Sequence, residues 1–411
     1  MAARDWDLKN ETMATENSIP DIDSSAATVS PTLLVTIAAM PPEQLEELLA
    51  NLNRLSASLP GESLLVATPD AVPADRYHAL KVVQTTLTGS SWTLTPADFA
   101  NVHEIAVAND VRAMLLLGPE CASLSVSALR DLANGILSSP IDLALPRYDL
   151  PPRAGMVNSA ILYPLTRALF ASRARFPLAI DLGLSLRMAE RLANAARRFS
   201  GPNQTEGLVW PVDEAAMAGF SIGEVDAGAR VLPQPADPDI NAILSRITGS
   251  LFADIEAKAA FWQRTRTLPP ARPIPSQLPS ADGLPDIAPM LDAFRLAYTN
   301  LREIWSLVLP PNSLLGLKRL SVTDAATFRV PDNLWARIVF DFLLAYRLRT
   351  INRGHLLGAL IPLYLAWVAS HINITASGTN AEHHIEAVAA AFEAEKPYLV
   401  SRWRWPDRFN P

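Results

Sequence analysis

In the first half of this chain, short apolar runs are separated by stretches of helical periodicity, and that alternation restricts the fold more than any other feature. Thr32–Ile37 (TLLVTI), Ser63–Ala67 (SLLVA), Ala113–Leu117 (AMLLL) and Ile141–Leu145 (IDLAL) read as buried strands. Between the first two, Pro42–Leu55 carries Leu45, Leu48, Leu49, Leu52 and Leu55 at helix spacing. Thr95 ahead of Pro96-Ala97-Asp98 reads as a helix start with proline in the first turn, and that helix extends to Asn109. Ser125–Leu137 is another helix. Strands separated by helices of this length require parallel crossovers, which predicts a doubly wound α/β sheet. In such a sheet a ligand sits outside the carboxyl ends of the strands.

The rest of the chain bounds the possibilities further. Of 411 residues, 49% are hydrophobic and 19% charged, enough to bury a core and to exclude wholesale disorder. The net charge is -7, so the basic footprint that nucleic-acid binding needs is missing and no nucleic-acid partner is expected. The single cysteine, Cys121, excludes a disulfide framework and a zinc site with several thiolates. Prolines outnumber glycines 34 to 17, which favours fixed turns over flexible linkers. Residues 1–30 are polar and lack the basic start and apolar stretch of a signal peptide, and read as a disordered leader. Leu356–Val368 (LLGALIPLYLAWV), preceded by Arg347, Arg349 and Arg353, falls short of the roughly 20 residues a membrane span needs. Pro362, His371 and Asn373 weaken a span further, so a buried core helix and a cytoplasmic protein are expected. Gly155–Arg198 reads as largely helical, broken near Pro177 and Gly183. The expected division is an α/β domain over 31–262, a proline-rich linker over 263–286 and a helical domain over 287–411, the last a candidate homodimer contact. No internal repeat and no glycine-rich phosphate loop is present.

Four stretches, in this order and spacing, carry a family resemblance. They are Ala144–Tyr148 (ALPRY), Asn158–Phe170 (NSAILYPLTRALF), Pro177–Ser185 (PLAIDLGLS), and the C-terminal Leu334–Tyr346 (LWARIVFDFLLAY) with Glu395–Trp405 (EKPYLVSRWRW). The chain resembles the glucosyl-3-phosphoglycerate and mannosylglycerate synthases and their bacterial family-two-like relatives, from about Pro31 to the C-terminus and more weakly before Ala113. The resemblance implies a GT-A fold, a Rossmann-like sheet that binds a nucleoside diphosphate sugar. It also implies retaining transfer of a hexose to a small acidic acceptor of the glycerate or phosphoglycerate type. The departing nucleoside diphosphate gains negative charge, which such enzymes usually neutralise with Mg or Mn held by an Asp-x-Asp and a later histidine.

Several positions depart from that pattern. Where Asp-x-Asp belongs, the chain reads Gly118-Pro119-Glu120, leaving Glu120 as the one candidate metal ligand. Where the histidine belongs, after Gly228-Ala229-Arg230-Val231, stands Leu232. The first strand runs into Ala38-Ala39-Met40-Pro41 and the second into Ala67-Thr68-Pro69-Asp70, where Asp70 can replace the acid that meets the base or ribose. By resemblance, Asp181 is the catalytic acid near the transferred sugar, Asp70, Glu120 and Arg230 meet the donor, and Arg147, Tyr148 and Asn158 meet the acceptor. Without a metal, Arg147, Arg153 or Arg230 would have to stabilise the diphosphate. The alternative is a catalytically inactive GT-A pseudoenzyme that binds or regulates a partner.

Each candidate also has a plain structural reading. Asp181 can cap a helix, and Glu120 can be a solvated loop acid. Arg147 over Tyr148 can be a surface residue on a packing ring, and Asn158 and Ser159 can cap the helix that follows. Tyr163 and Arg167 share a helix face, which suits packing and an ion pair. His383 and His384 are adjacent and so point to different faces, against the three- or four-residue spacing of a helical metal pair. His355 and His371 read as residues at the boundaries of the apolar helix, and Cys121 as a buried inert thiol. Trp403 and Trp405, set among Arg402 and Arg404, are expected to pack on the α/β domain with arginine–aromatic contacts.

Overall fold

The continuous apolar runs form strands, and the periodic stretches between them form helices. A computed structural model describes residues 32–72, 77, 80–85, 92–199, 207–234, 239–266 and 285–406. The expected leader and most of the expected proline-rich linker lie outside the described residues. Strands β1 (Leu33–Ile37), β2 (Leu64–Thr68), β3 (Leu80–Gln84), β4 (Ala113–Leu117), β5 (Leu143–Asp149), β6 (Asp181–Ser185) and β7 (Ile222–Ala229) form a sheet ordered β3-β2-β1-β4-β6-β5-β7. The β3-β2-β1-β4 and β5-β7 neighbours are parallel. Helices α1 (Pro42–Ser58) and α3 (Val126–Leu137) cover one face, and α2 (Pro96–Ala108), α5 (Leu186–Ala196) and α6 (Pro211–Ala218) cover the other. The start of α2 follows from its sequence: Thr95 N donates to Asp98 Oδ2 at 2.7 Å, a reciprocal cap ahead of Pro96.

The sheet is mixed, parallel at its two sides and antiparallel around one strand. β6 runs antiparallel to both β4 and β5, with Leu117 opposite Asp181. It forms the break expected near Gly183 within the stretch 155–198. Gly183 explains how so short a strand fits under α3. A Cβ there would lie 2.9 Å from Ile136 Cγ1 and 3.0 Å from Ala144 Cβ, so only glycine allows the approach. Reversal of β6 has a functional consequence, because its first residue, Asp181, stands at the carboxyl ends of its neighbours.

Beyond the sheet, helix α4 (Tyr163–Phe170), preceded by a π-helical turn over Asn158–Leu162, packs with α7 (Ile240–Ala257) and α8 (Ala259–Trp262). The same apolar cluster continues into α9 (Ala288–Asn300), α10 (Arg302–Val308), α11 (Pro311–Ser321), α12 (Asp332–Leu348), α13 (Arg353–Ala376) and α14 (Ala381–Arg404). The class is therefore a Rossmann-like α/β sheet with an extensive helical C-terminal region. Trp335 and Trp305 are fully buried, and each indole N–H finds a carbonyl, at Ala160 and Ala359. Among the described residues, α13 alone is long and apolar enough to cross a membrane, and 72% of its most apolar window is buried inside the protein. That burial is what a core helix shows.

Two expectations in this region change. His371 is not a boundary residue, since α13 runs on to Ala376 and buries it. The C-terminal tryptophans divide: Trp403 is buried against Trp262 and under the Arg347 guanidinium, whereas Trp405 is 58% exposed.

Charge joins α14 to α4. Arg167 pairs with Glu386 and Glu393, and Tyr163 donates to Glu386 at 2.6 Å. The Arg167 side chain is only 7% exposed, so its loss would leave two poorly solvated carboxylates without a cation. Replacing Arg167 by Ala should therefore lower the unfolding free energy by about 3–5 kcal/mol. Urea denaturation measures this, and a loss below about 1 kcal/mol would make the contact an ordinary surface pair.

Candidate functional site

Four strands bring their ends together around Asp181. Its Oδ1 accepts from the Gly118 amide at 3.2 Å, just past β4, and its Oδ2 accepts from the Tyr148 hydroxyl of β5 at 2.8 Å. From beyond β7, Arg230 Nε donates to Oδ2 at 2.9 Å and Nη2 to Oδ1 at 3.3 Å. The Asp181 and Arg230 side chains are both 0% exposed.

The remaining guanidinium N–H groups meet oxygens of the loop after β4 and the carbonyl of the next residue, Val231. Arg230 Nη2 donates to Pro119 O at 2.6 Å, and Nη1 donates to Glu120 O at 2.5 Å, Val231 O at 2.6 Å and Ser123 Oγ at 3.1 Å. This cage depends on an unusual backbone. Glu120 adopts left-handed φ 60° and ψ 18°, turning the loop so that two successive carbonyls face the cation. On the other strand, Gly228 has φ +65°, and the β5–β7 register shifts between Arg147 and Tyr148. A bulge of this kind re-aims side chains. Tyr148 therefore points at Asp181, while Arg147 pairs with Asp226 at 2.6 Å at the exposed rim.

Electrostatics follow the geometry. Burial, and then the negative charge of Asp181, push the Tyr148 hydroxyl well above its usual range, so it remains a donor. Burial, with the same charge behind it, also pushes the Cys121 thiol up and keeps it neutral. Arg230 loses some affinity for its proton through burial, but the Asp181 charge more than restores it. The result is a closed, hydrogen-bonded ion pair under a neutral tyrosine and a neutral thiol.

Of the sequence candidates, Asp181, Arg230, Tyr148 and the Glu120 backbone meet at one centre. The others make contacts elsewhere. Asp70 Oδ2 accepts from Met40 N at 3.1 Å, joining the loops after β1 and β2. Asn158 donates to Arg175 O at 3.0 Å, and Ser159 Oγ accepts from Arg175 Nη2 at 3.0 Å, so this pair fixes the segment after α4. Arg153 is exposed. Residue types gave no sign of the part taken by Ser123, or by the carbonyls of Pro119 and Val231. A small hydroxyl and backbone oxygens carry no signature in sequence.

A divalent cation does not fit this centre. Asp181 already has its oxygens occupied, Arg230 brings a positive charge to the same place, and Leu232 offers no donor. Among the described residues, no group of three or more His, Cys, Asp or Glu side chains is placed to hold a metal. Position 118 cannot regain its acid without moving the backbone, since a Cβ on Gly118 would stand 2.7 Å from Ile180 O.

No protein-family model matches the chain, and no curated protein matches it. Among solved structures there is distant, partial likeness to glucosyl-3-phosphoglycerate synthase from Mycobacterium tuberculosis. The form with Mn2+, uridine diphosphate and glucosyl-3-phosphoglycerate shares 13% identity over 55% of this chain and 79% of that one, with a TM-score of 0.35. The form with phosphoglyceric acid shares 14% over the same portions, with a TM-score of 0.33. A further mycobacterial protein shares 12%, over 55% of this chain and 74% of its own, with a TM-score of 0.34. Likeness at this level carries no functional argument, which rests on the geometry of the centre.

Two outcomes test that geometry. In a double-mutant cycle, Arg230→Met and Asp181→Asn should each cost about 3–5 kcal/mol singly, because each strands a buried polar partner. The double variant should cost much less than their sum, and additive losses would show that the two side chains do not act as a unit. Gly118→Asp should destabilise the chain by about 1–3 kcal/mol by overpacking against Ile180. It should bring no stabilisation by Mn2+ in thermal melts, and a metal-dependent rise in Tm would show that the acid pair can be rebuilt.

Proposed function

We propose that this chain is a glycosyltransferase-like protein that acts as a non-catalytic binding or regulatory partner instead of transferring a hexose. One observation carries the reading. The Arg230 guanidinium, fully buried, is held by Asp181 and by oxygens of Pro119, Glu120, Val231 and Ser123. Transfer from a nucleoside diphosphate sugar requires a cation facing the leaving diphosphate and a carboxylate free to act near the sugar. Here the candidate cation and the candidate acid neutralise each other away from solvent. Of the other candidate arginines, Arg147 is partnered by Asp226, and Arg153 is exposed. Retaining transfer to glycerate or phosphoglycerate would need this centre to open. The burial of α13 in the protein core supports its reading as a core helix and not a membrane span.

Calorimetric titration with UDP-glucose and with GDP-mannose, each with and without Mn2+, tests the reading. The expected result is no binding that tightens with metal. Micromolar binding, about −8 kcal/mol, that strengthens with Mn2+ would overturn the proposal and restore the transferase.

A further inference from the structure

Away from the sheet, two histidines face each other inside the helical region. His371 of α13 is 1% exposed and His384 of α14 is 5% exposed. Their Nδ1 atoms lie 2.7 Å apart, and the Trp367 ring stacks beside both imidazoles. On the far side of the pair, His384 Nε2 stands 3.3 Å from Asp332 Oδ1, at the first residue of α12. His371 Nε2 is buried with no hydrogen-bond partner.

Proton counting restricts this arrangement. A contact of 2.7 Å between ring nitrogens holds one hydrogen, so one Nδ1 donates and the other accepts. Asp332 favours the His384 proton on Nε2. His384 Nδ1 is then bare and accepts from His371 Nδ1, which leaves His371 Nε2 bare in its apolar surroundings. Both rings are neutral, and every N–H is used. An added proton finds no place: on His384 Nδ1 it would oppose another N–H, and on His371 Nε2 it would be buried without an acceptor. The charged groups facing the pair are Asp332 from α12, Arg175 from the segment between α4 and β6, and Glu382 from α14, which pairs with Arg175 at 2.9 Å. Burial, then His384 and then Arg175, hold His371 down at about 3.

The pair lies where α14 docks. The same end of α14 carries Glu382, Glu386 and Glu393, which hold Arg175 and Arg167 of the α4 region. We infer that His371 and His384 form an acid-sensitive latch: proton uptake opens the α13–α14 contact and loosens α14 from α4. This is independent of the reading of the Asp181–Arg230 centre. The sign follows from the folded state holding His371 neutral. An opened ring accepts a proton below its free value of about 6.5, whereas the closed ring does not. Closure is therefore fully favoured above that pH and loses ground as pH falls below it. Between about 6.5 and 5, carboxylates near their ordinary value of about 4 remain ionised, but burial pushes Asp341 of α12, which meets Tyr398 and Arg402 of α14, up to about 7, so the histidine variants and not the window alone isolate the pair.

Hydrogen exchange of the full chain from pH 8 to pH 5, corrected for intrinsic rates, tests the latch. Protection over residues 365–376 and 381–393 should fall about tenfold per pH unit below about 6.5, for one proton taken up. Protection in β1 and β4 should not change with pH. In His371→Phe the slope should vanish, and in His384→Gln, which keeps the buried His371 but removes its imidazole partner, it should weaken. A flat wild-type profile, or an unchanged slope in either folded variant, would overturn the inference. If neither variant folds, ring 15N shifts of the wild type decide. Neutral rings with protons on His371 Nδ1 and His384 Nε2 at pH 7 are expected, and a His371 ring charged at pH 5.5 while α14 stays protected would sink the idea.

Discussion

The carboxyl edge of the sheet is organised by one buried ion pair. Asp181 and Arg230 come from strands that are not neighbours, since β5 lies between β6 and β7. Tyr148 of β5 bridges the gap by donating to the same carboxylate, and the Gly118 amide ties in β4. Four strand ends are therefore fixed to one acid. Burying two charges costs several kcal/mol per ion, and their attraction offsets this only when the remaining donors and acceptors are filled. Here they are filled by the carbonyls of Pro119, Glu120 and Val231. Such a pair contributes a defined arrangement of loops more than net stability.

A second set of charges works the same way outside the sheet. Arg167 and Arg175 of the α4 region meet Glu382, Glu386 and Glu393 on α14, with Tyr163 between them. Lys258 of the α7–α8 junction meets Glu214 of α6 at 2.9 Å and Asp254 at 2.7 Å. Burial, then the Asp254 charge, raise Asp213 beside them, so that acid is protonated more readily than usual. These contacts surround an apolar cluster that already runs from α4 through α14. Hydrophobic burial supplies the attraction, and the ion pairs fix which faces meet.

How much of this could be read from sequence depends on what each element asks of its residues. β1, β2 and β4 are buried and mostly Leu, Val and Ala, and they were legible as strands, whereas β5 was legible only over its apolar start, Leu143–Leu145. α1, α2 and α3 were legible from leucine spacing and from the Thr95–Asp98 cap. β3 and β7 sit at the sheet edges, half-exposed and partly polar, so no apolar run announces them. β6 is five residues with a glycine at its centre, and its direction is set by the turns around it, which composition does not encode. The site follows the same division. Asp181, Arg230, Tyr148 and Glu120 were visible as residue types with the right chemistry. That they would face one another, instead of a ligand, depends on the reversed β6, the bulge at Tyr148 and the left-handed Glu120.

Gly118 and the left-handed turn at Glu120 form one structural solution around Arg230. Gly118 lets the loop approach Ile180 closely enough for its amide to reach Asp181. The left-handed turn at Glu120 then presents the carbonyls that Arg230 needs. Removing any one member leaves another with an unfilled bond in a place that water does not reach, at about 1–3 kcal/mol for a neutral group and more for a charge. A centre that had only lost its metal ligands would leave Asp181 as an uncompensated buried acid. Here that acid is neutralised, hydrogen-bonded and sealed.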